Sequence, residues 1–173
     1  YARKGLILLD RIADIYPDMN YREWYKYGFT CSCGHSGRGR LYGCIWETFV
    51  GVKLATSWDA FSLCMEDEAL LSFLKHMGDC HKLPGKKGTS KDLRRNIEDR
   101  ILRQILWDVR TGDNRGNSGM HQYAMAVAAV ALDDLIETPQ ALDWLFQPEM
   151  RGEDGLLTGG GIPSILLERM DRD

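Results

Sequence analysis

The sequence predicts an all-α fold, and three observations predict it. Apolar residues recur every three or four positions over several long stretches, as one buried face of a helix requires. No stretch alternates convincingly at every second residue, the pattern of a half-buried strand. The strongest breakers, Pro17, Pro84-Gly85 and Gly159-Gly160-Gly161, fall between the periodic stretches, where they end helices.

Leu6, Leu9, Ile12 and Tyr16 share one helical face and stop at Pro17, so residues 4–16 are read as the first helix. Residues 18–40 are irregular, aromatic at first (Tyr21, Trp24, Tyr25, Tyr27, Phe29) and then glycine-rich around Cys33 to Gly39. A loop of that length inside a compact domain usually carries function. Helical spacing returns from Leu41 to about Phe61, with Trp46, Phe49, Val50, Leu54 and Trp58 as core candidates. A short amphipathic helix follows over about 67–77, then a linker over 82–90, in which Lys86-Lys87 reads as solvated surface.

The clearest amphipathic helix runs from Ser90 to Arg110. Leu93, Ile97, Ile101 and Ile105 edge its stripe, and Leu102, Leu106 and Val109 fill it. An alanine-rich helix ends near Leu135, and Thr138-Pro139 starts another, with a capping hydroxyl before a proline at the first helical position. The triple glycine reads as a flexible cleft-edge loop, and a last helix covers Ser164 to Met170. Short junctions alternate with long, polar, glycine-rich ones at 31–40, 112–121 and 152–163. Stacked helical hairpins with the long loops at one end suit this order better than a regular four-helix bundle.

The chain has 173 residues, 44% hydrophobic and 27% charged, a composition suited to one globular domain spanning 1–173. A net charge of −3 argues against nucleic acid as an obligatory partner. The longest apolar run, Tyr123 to Leu132, is about half of what a bilayer requires, so no membrane partner is expected. Five cysteines leave at least one unpaired within the chain, unlike a disulfide framework. Cys31, Cys33, His35 and Cys44 miss the usual spacing of closed zinc sites, so no metal is expected. Cys80-His81 is adjacent in sequence, a poor arrangement for a nucleophile and its base.

The chemistry concentrates in Arg115-Gly-Asn-Ser-Gly-Met-His-Gln122, which runs straight into the alanine-rich helix. Asn117 and His121 are four residues apart, which on a helix places them on one face. The first helical turn adds spare backbone N–H groups and the positive end of the helix dipole, a seat for a carboxylate. Gly119 and the polar Ser118 and Gln122 suggest that this seat is exposed. The competing reading makes Asn117 an N-cap and His121 a satisfied core histidine.

Four segments, Arg3 to Pro17, Ile45-Trp-Glu-Thr-Phe49, Gly116 to Gln122 with its helix, and Gly160-Gly-Ile-Pro163 to Arg172, in this order resemble the helical domain of the heparinase II/III-like polysaccharide lyases. The resemblance implies an incomplete α/α toroid built of helical hairpins, cut from a larger protein whose β-sandwich part is absent from this sequence. It implies cleavage of uronate-containing, glycosaminoglycan-like polymers by β-elimination, in a periplasmic or secreted setting and without a cofactor. Asn117 would then neutralise the uronate carboxylate and His121 would act as base or second carboxylate contact. The acid/base tyrosine is expected beyond Asp173. Arg115, Gln122, Trp46, Glu47 and Arg38 are the expected substrate contacts, arginine because its planar fork matches carboxylate and sulfate. Tyr25, Tyr27 and Tyr42 are further candidates from the other loop region, as is Arg40, whereas Tyr123 is expected to pack. Oligomeric state is not legible from these residues.

Two alternatives remain at this level. An inverting glycoside hydrolase would need two carboxyl groups about 6.5–9.5 Å apart, for which Glu47, Asp113 and Asp154 are the candidates. A non-catalytic carbohydrate-binding helical domain would use the same loops only to bind.

Overall fold

The computed structural model describes residues 1–20, 39–41, 45–83 and 85–170. These residues build α1 (Ala2–Ile15), α2 (Trp46–Phe61), α3 (Glu68–His81), α4 (Ser90–Ile97), α5 (Arg103–Thr111), α6 (Met120–Leu132), α7 (Glu137–Leu145) and α8 (Ile162–Met170). Among the described residues there is no strand, only an isolated antiparallel bridge between Arg151 and Leu157. The all-α reading therefore holds for them. Among them, too, no helix is long and apolar enough to cross a membrane.

α1 stops where Pro17 enters a short 3-10 turn, as the sequence requires. α3 starts on Asp67, whose carboxylate accepts the Leu70 N–H, and extends to His81, longer than the sequence suggested. Lys82 closes it in the left-handed conformation. Thr89 caps α4 through Asp92 N–H. The long amphipathic stretch is one continuous rod interrupted by a π-helical turn at Glu98–Leu102, closed by Arg103 N–H on Glu98 C=O. The extra residue of that turn keeps Ile97, Ile101, Leu102 and Ile105 all fully buried.

α6 is the hub. It packs against α2, α5 and α7, while α1 packs on α2 and α4. Ala124, Met125, Ala128, Ala129 and Leu132 line its inner face, and Leu6, Leu9, Leu54, Trp58, Leu70 and Leu93 complete one continuous core. Each buried leucine contributes roughly 1.5–3 kcal/mol relative to an exposed one.

Four local expectations are corrected. α7 begins one residue before Thr138, and its first N–H groups are held by Asp134, at 2.9 Å from Ile136 N and 2.8 Å from Glu137 N. The Thr138 hydroxyl instead donates to Ala129 C=O at the end of α6, 2.7 Å away. Trp46 and Phe49 are not core: they are 54% and 47% exposed, because the inner face of α2 is Glu47, Thr48, Gly51, Leu54, Ala55 and Trp58. The Lys87 side chain is not solvated but 4% exposed, its ammonium bonded to Asp10 and Asp14 on α1.

The triple glycine, fourth, is neither exposed nor loose. Gly160 N–H donates to Trp144 C=O at 2.8 Å and Gly161 N–H to Gln147 C=O at 2.9 Å, fastening the segment to the end of α7. A Cβ on Gly159 would lie 2.3 Å from Gln147 O, and one on Gly160 2.8 Å from Leu145 Cα. Glycine is needed here for close backbone approach.

Candidate functional site

The segment between α5 and α6 lies over the first turns of α2. A Cβ on Gly116 would meet Thr48 Cγ2 at 3.1 Å, and one on Gly51 would meet Asn114 Nδ2 at 3.3 Å. Asn114 N–H donates to Asp108 C=O at 2.9 Å and starts the loop. Gly112 and Gly119 take positive φ at its two ends, 80° and 93°.

α6 starts at Met120 with Gly119 as its cap, so Asn117 lies outside the helix and does not share a helical face with His121. Nor is Asn117 the N-cap; its side chain is exposed and its carbonyl accepts Met120 N–H at 2.9 Å. Gln122 turns inward instead of facing substrate. Its Oε1 accepts Gly119 N–H at 2.9 Å and its Nε2 donates to Gly160 C=O at 2.7 Å, so this amide ties the start of α6 to the triple glycine. That use replaces the expected substrate contact.

His121 is 3% exposed, not open to solvent as its polar neighbours suggested. It belongs to the stripe of Met125, Ala128 and Leu132, and the helical period turns it toward the interior. Neither ring nitrogen has a hydrogen-bond partner among the described residues. Nε2 faces Glu149 Oε2 at 3.7 Å, and the other oxygen of Glu149 is gripped by the Arg115 guanidinium. Burial first, and then the Arg115 charge, hold the imidazole below its ordinary pKa of 6.5, against the pull of Glu149. The ring is therefore neutral at neutral pH, the form that accepts a proton. Glu149 carries no sequence signal; only the fold brings it to this place.

A buried polar network lies behind the loop, and sequence reasoning missed most of it. Arg40 donates through Nε and Nη2 to both oxygens of Asp108, the latter at 2.8 Å, and through Nη1 to Pro17 C=O. Its guanidinium also lies 5.5 Å from the centre of the Tyr16 ring. Burial raises the Asp108 pKa, and burial together with Glu47 and Asp108 raises that of Tyr16 well above 10.0. Glu47 is 1% exposed and accepts Leu41 N–H at 3.0 Å, so it supports the chain entering α2 and does not line an open groove. Asn114 is 1% exposed, with neither amide atom hydrogen-bonded among the described residues. The available signal was Asp108 itself, a carboxylate three residues after Ile105 in an otherwise apolar stripe.

Among the remaining candidates, Trp46 stands outside this region with its ring 5.5 Å from that of Phe49. With Val50, Lys53 and Leu54 they line an open groove of about 480 Å³ along α2. Tyr123 is 57% exposed, not packed as expected. Asp113 accepts the Thr111 hydroxyl and Asp154 the Leu156 N–H, so both serve their own turns. Cys80 is set against His76, Sγ 3.6 Å from Nε2, and not against His81. Arg38, Tyr25, Tyr27, Tyr42 and the set Cys31, Cys33, His35 and Cys44 lie outside the described residues.

Among the described residues no group of three or more His, Cys, Asp or Glu side chains is arranged to hold a metal ion. No family model, no curated protein and no solved structure matches the chain.

Proposed function

We propose that the chain is the helical part of a lyase that cleaves uronate-containing polymers by β-elimination, on an incomplete α/α toroid of helical hairpins. The observation that carries this reading is the set Arg115, Glu149 and His121, with the exposed Asn117 two residues after Arg115 in the same loop. It joins a carboxylate-binding cation, a neutral imidazole and an amide at one glycine-flanked loop.

Elimination removes the C5 proton of a uronate and expels the oxygen at C4, leaving a C4–C5 double bond. The proton is acidic enough only when the adjacent carboxylate is neutralised. Arg115 now holds a carboxylate, that of Glu149, and a uronate carboxylate is the same chemical group. Exchange of one for the other, with Asn117 as second contact, would release Glu149 from its place beside His121 and open the imidazole to the sugar. Gly116 and Gly119 flank Asn117, and Gly119 takes a positive φ of 93°. The neutral ring then takes the C5 proton. Protonation of the leaving oxygen falls, by the family resemblance, to a tyrosine.

The test is incubation with hyaluronan, heparan sulfate, alginate and polygalacturonate, reading the ultraviolet absorbance of an unsaturated uronate. Lyase action gives that absorbance, and His121→Ala and Asn117→Ala remove it while the fold persists. New reducing ends without the absorbance would replace the proposal with a hydrolase.

The Trp46–Phe49 platform favours a second reading, non-catalytic carbohydrate binding, because exposed aromatic faces suit the apolar faces of sugar rings. Binding of these polymers without any new product would establish it.

A further inference from the structure

A separate groove of about 190 Å³ lies between α5 and α7, lined by Arg103, Leu106, Trp107, Arg110, Glu137 and Gln140. Its two arginines are in different states. Arg103 is saturated: Nε donates to both oxygens of Glu137 at 2.8 and 3.0 Å, Nη2 lies 2.7 Å from Glu137, and Nη1 donates to Asp99 at 2.6 Å. Arg110 meets no carboxylate among the described residues, and its buried Nε has no hydrogen-bond partner there. Its guanidinium is held 6.0 Å from the centre of the Trp144 ring, so it is positioned without being neutralised. One turn back, Trp107 exposes half of its surface beside it, and Gln140 supplies an amide from the opposite wall.

We infer that this groove is a binding subsite for one acidic sugar unit, with its carboxylate on Arg110, its ring against Trp107 and a hydroxyl on Gln140. An arginine fork that meets no carboxylate selects a planar anion through its Nη donors, since Nε itself is enclosed. An adjacent indole face adds affinity for the apolar face of a sugar ring, and the amide can both donate to and accept from hydroxyls. The volume suits a single unit rather than a length of polymer. Glu137 does not repel the ligand's charge in full, because Arg103 already neutralises it. Leu157 N–H donates to Arg110 C=O, so the site adjoins the 150–158 turn that also carries Met150 and Arg151. The ligand class rests on the uronate reading above, but the site does not include His121, Asn117 or Arg115.

The test titrates the chain with D-glucuronate, D-galacturonate, D-glucose and inorganic sulfate, following the Trp107 indole N–H by nuclear magnetic resonance, assigned with Trp107→Phe. The expected result is a saturable shift with the uronates and none with glucose. Arg110→Gln weakens binding about tenfold or more. Trp107→Ala, at an exposed position that leaves the fold intact, also weakens it when followed by calorimetry. His121→Ala leaves the uronate-dependent Trp107 shift as it is in the wild type, which separates failure of this subsite from failure of the lyase reading. Equal binding of glucose, undiminished binding by Arg110→Gln, or a response to sulfate alone would overturn the assignment.

Discussion

The Lys87 ammonium lies 2.8 Å from both oxygens of Asp10 and 2.6 Å from Asp14 Oδ1, joining the segment before α4 to α1. Asn96 Nδ2 adds bonds to the same two carboxylates, at 2.8 and 3.1 Å. Asp10 and Asp14 are 2% and 3% exposed and face this ammonium, with Arg11 Nη1 a longer 3.5 Å from Asp14, so Lys87 is the main group that makes their burial tolerable. Burial raises the Asp10 pKa above 3.8, against Lys87 and Asn96, which lower it.

Lys87→Met is therefore expected to destabilise the chain by about 3–5 kcal/mol at neutral pH, the cost of a buried charge without its partner. The sign with pH follows from Asp10. Its folded pKa lies above the unfolded value, so its contribution to stability is present in acid and is lost as pH rises through the folded value. Removing the cation raises that pKa further. Urea unfolding at about pH 7.5 and about pH 5 should show a deficit that shrinks in the more acidic buffer. An equal deficit in both would mean that the ion pair does not set it.

Lys87 also shows what the sequence hides. Lys86-Lys87 between Pro84-Gly85 and Gly88 has the composition of a solvated linker, and nothing local announces two aspartates 73 and 77 residues away. Helical stripes were legible because burial follows a period: Leu93, Ile97, Ile101 and Ile105 all lie in the core. The same period places His121 with Met125, Ala128 and Leu132, and it outweighs the polar neighbours that suggested exposure. Glu149 and Arg40 reach their partners only through tertiary structure.

Gly160 tests the meaning of the triple glycine. If the segment were merely flexible, alanine would be neutral or stabilising. Because a Cβ there would lie 2.8 Å from Leu145 Cα, Gly160→Ala is expected to cost about 1–3 kcal/mol as main chain shifts to make room. The Gly160–Gln122 bond would shift with it. Thermal denaturation of Gly160→Ala beside Gln122→Ala checks this, and coupled losses in the double variant are expected since the two residues touch. An alanine variant melting at the wild-type temperature would refute the close approach.

His121 should titrate below 6.5. Its folded pKa is depressed, so the neutral buried ring contributes stability that is present above the unfolded value and lost as pH falls toward the folded one. The neighbours give opposite signs. Arg115→Gln should raise the His121 pKa and Glu149→Gln should lower it further, because the first removes a cation and the second an anion. Imidazole resonances followed through a pH titration read both. Shifts in the same direction would show that the ring does not feel this ion pair.

Trp46 and Trp58 stand on one helix and make the same contribution to composition, yet they are 54% and 1% exposed. Trp58→Ala empties a core site beside Arg94 of α4 and is expected to cost about 3–5 kcal/mol, enough to unfold many domains of this size. Trp46→Ala removes an exposed ring and should stay within about 0.5 kcal/mol of the wild type in denaturant unfolding. Affinity separates the two in the other direction. If the Trp46–Phe49 face carries polymer, Trp46→Ala loses binding at unchanged stability, measured by calorimetry with uronate oligosaccharides. Full affinity in that variant would remove Trp46 from the proposed substrate contacts and leave the α5–α7 groove and the Arg115 loop as the proposed sugar-binding surfaces.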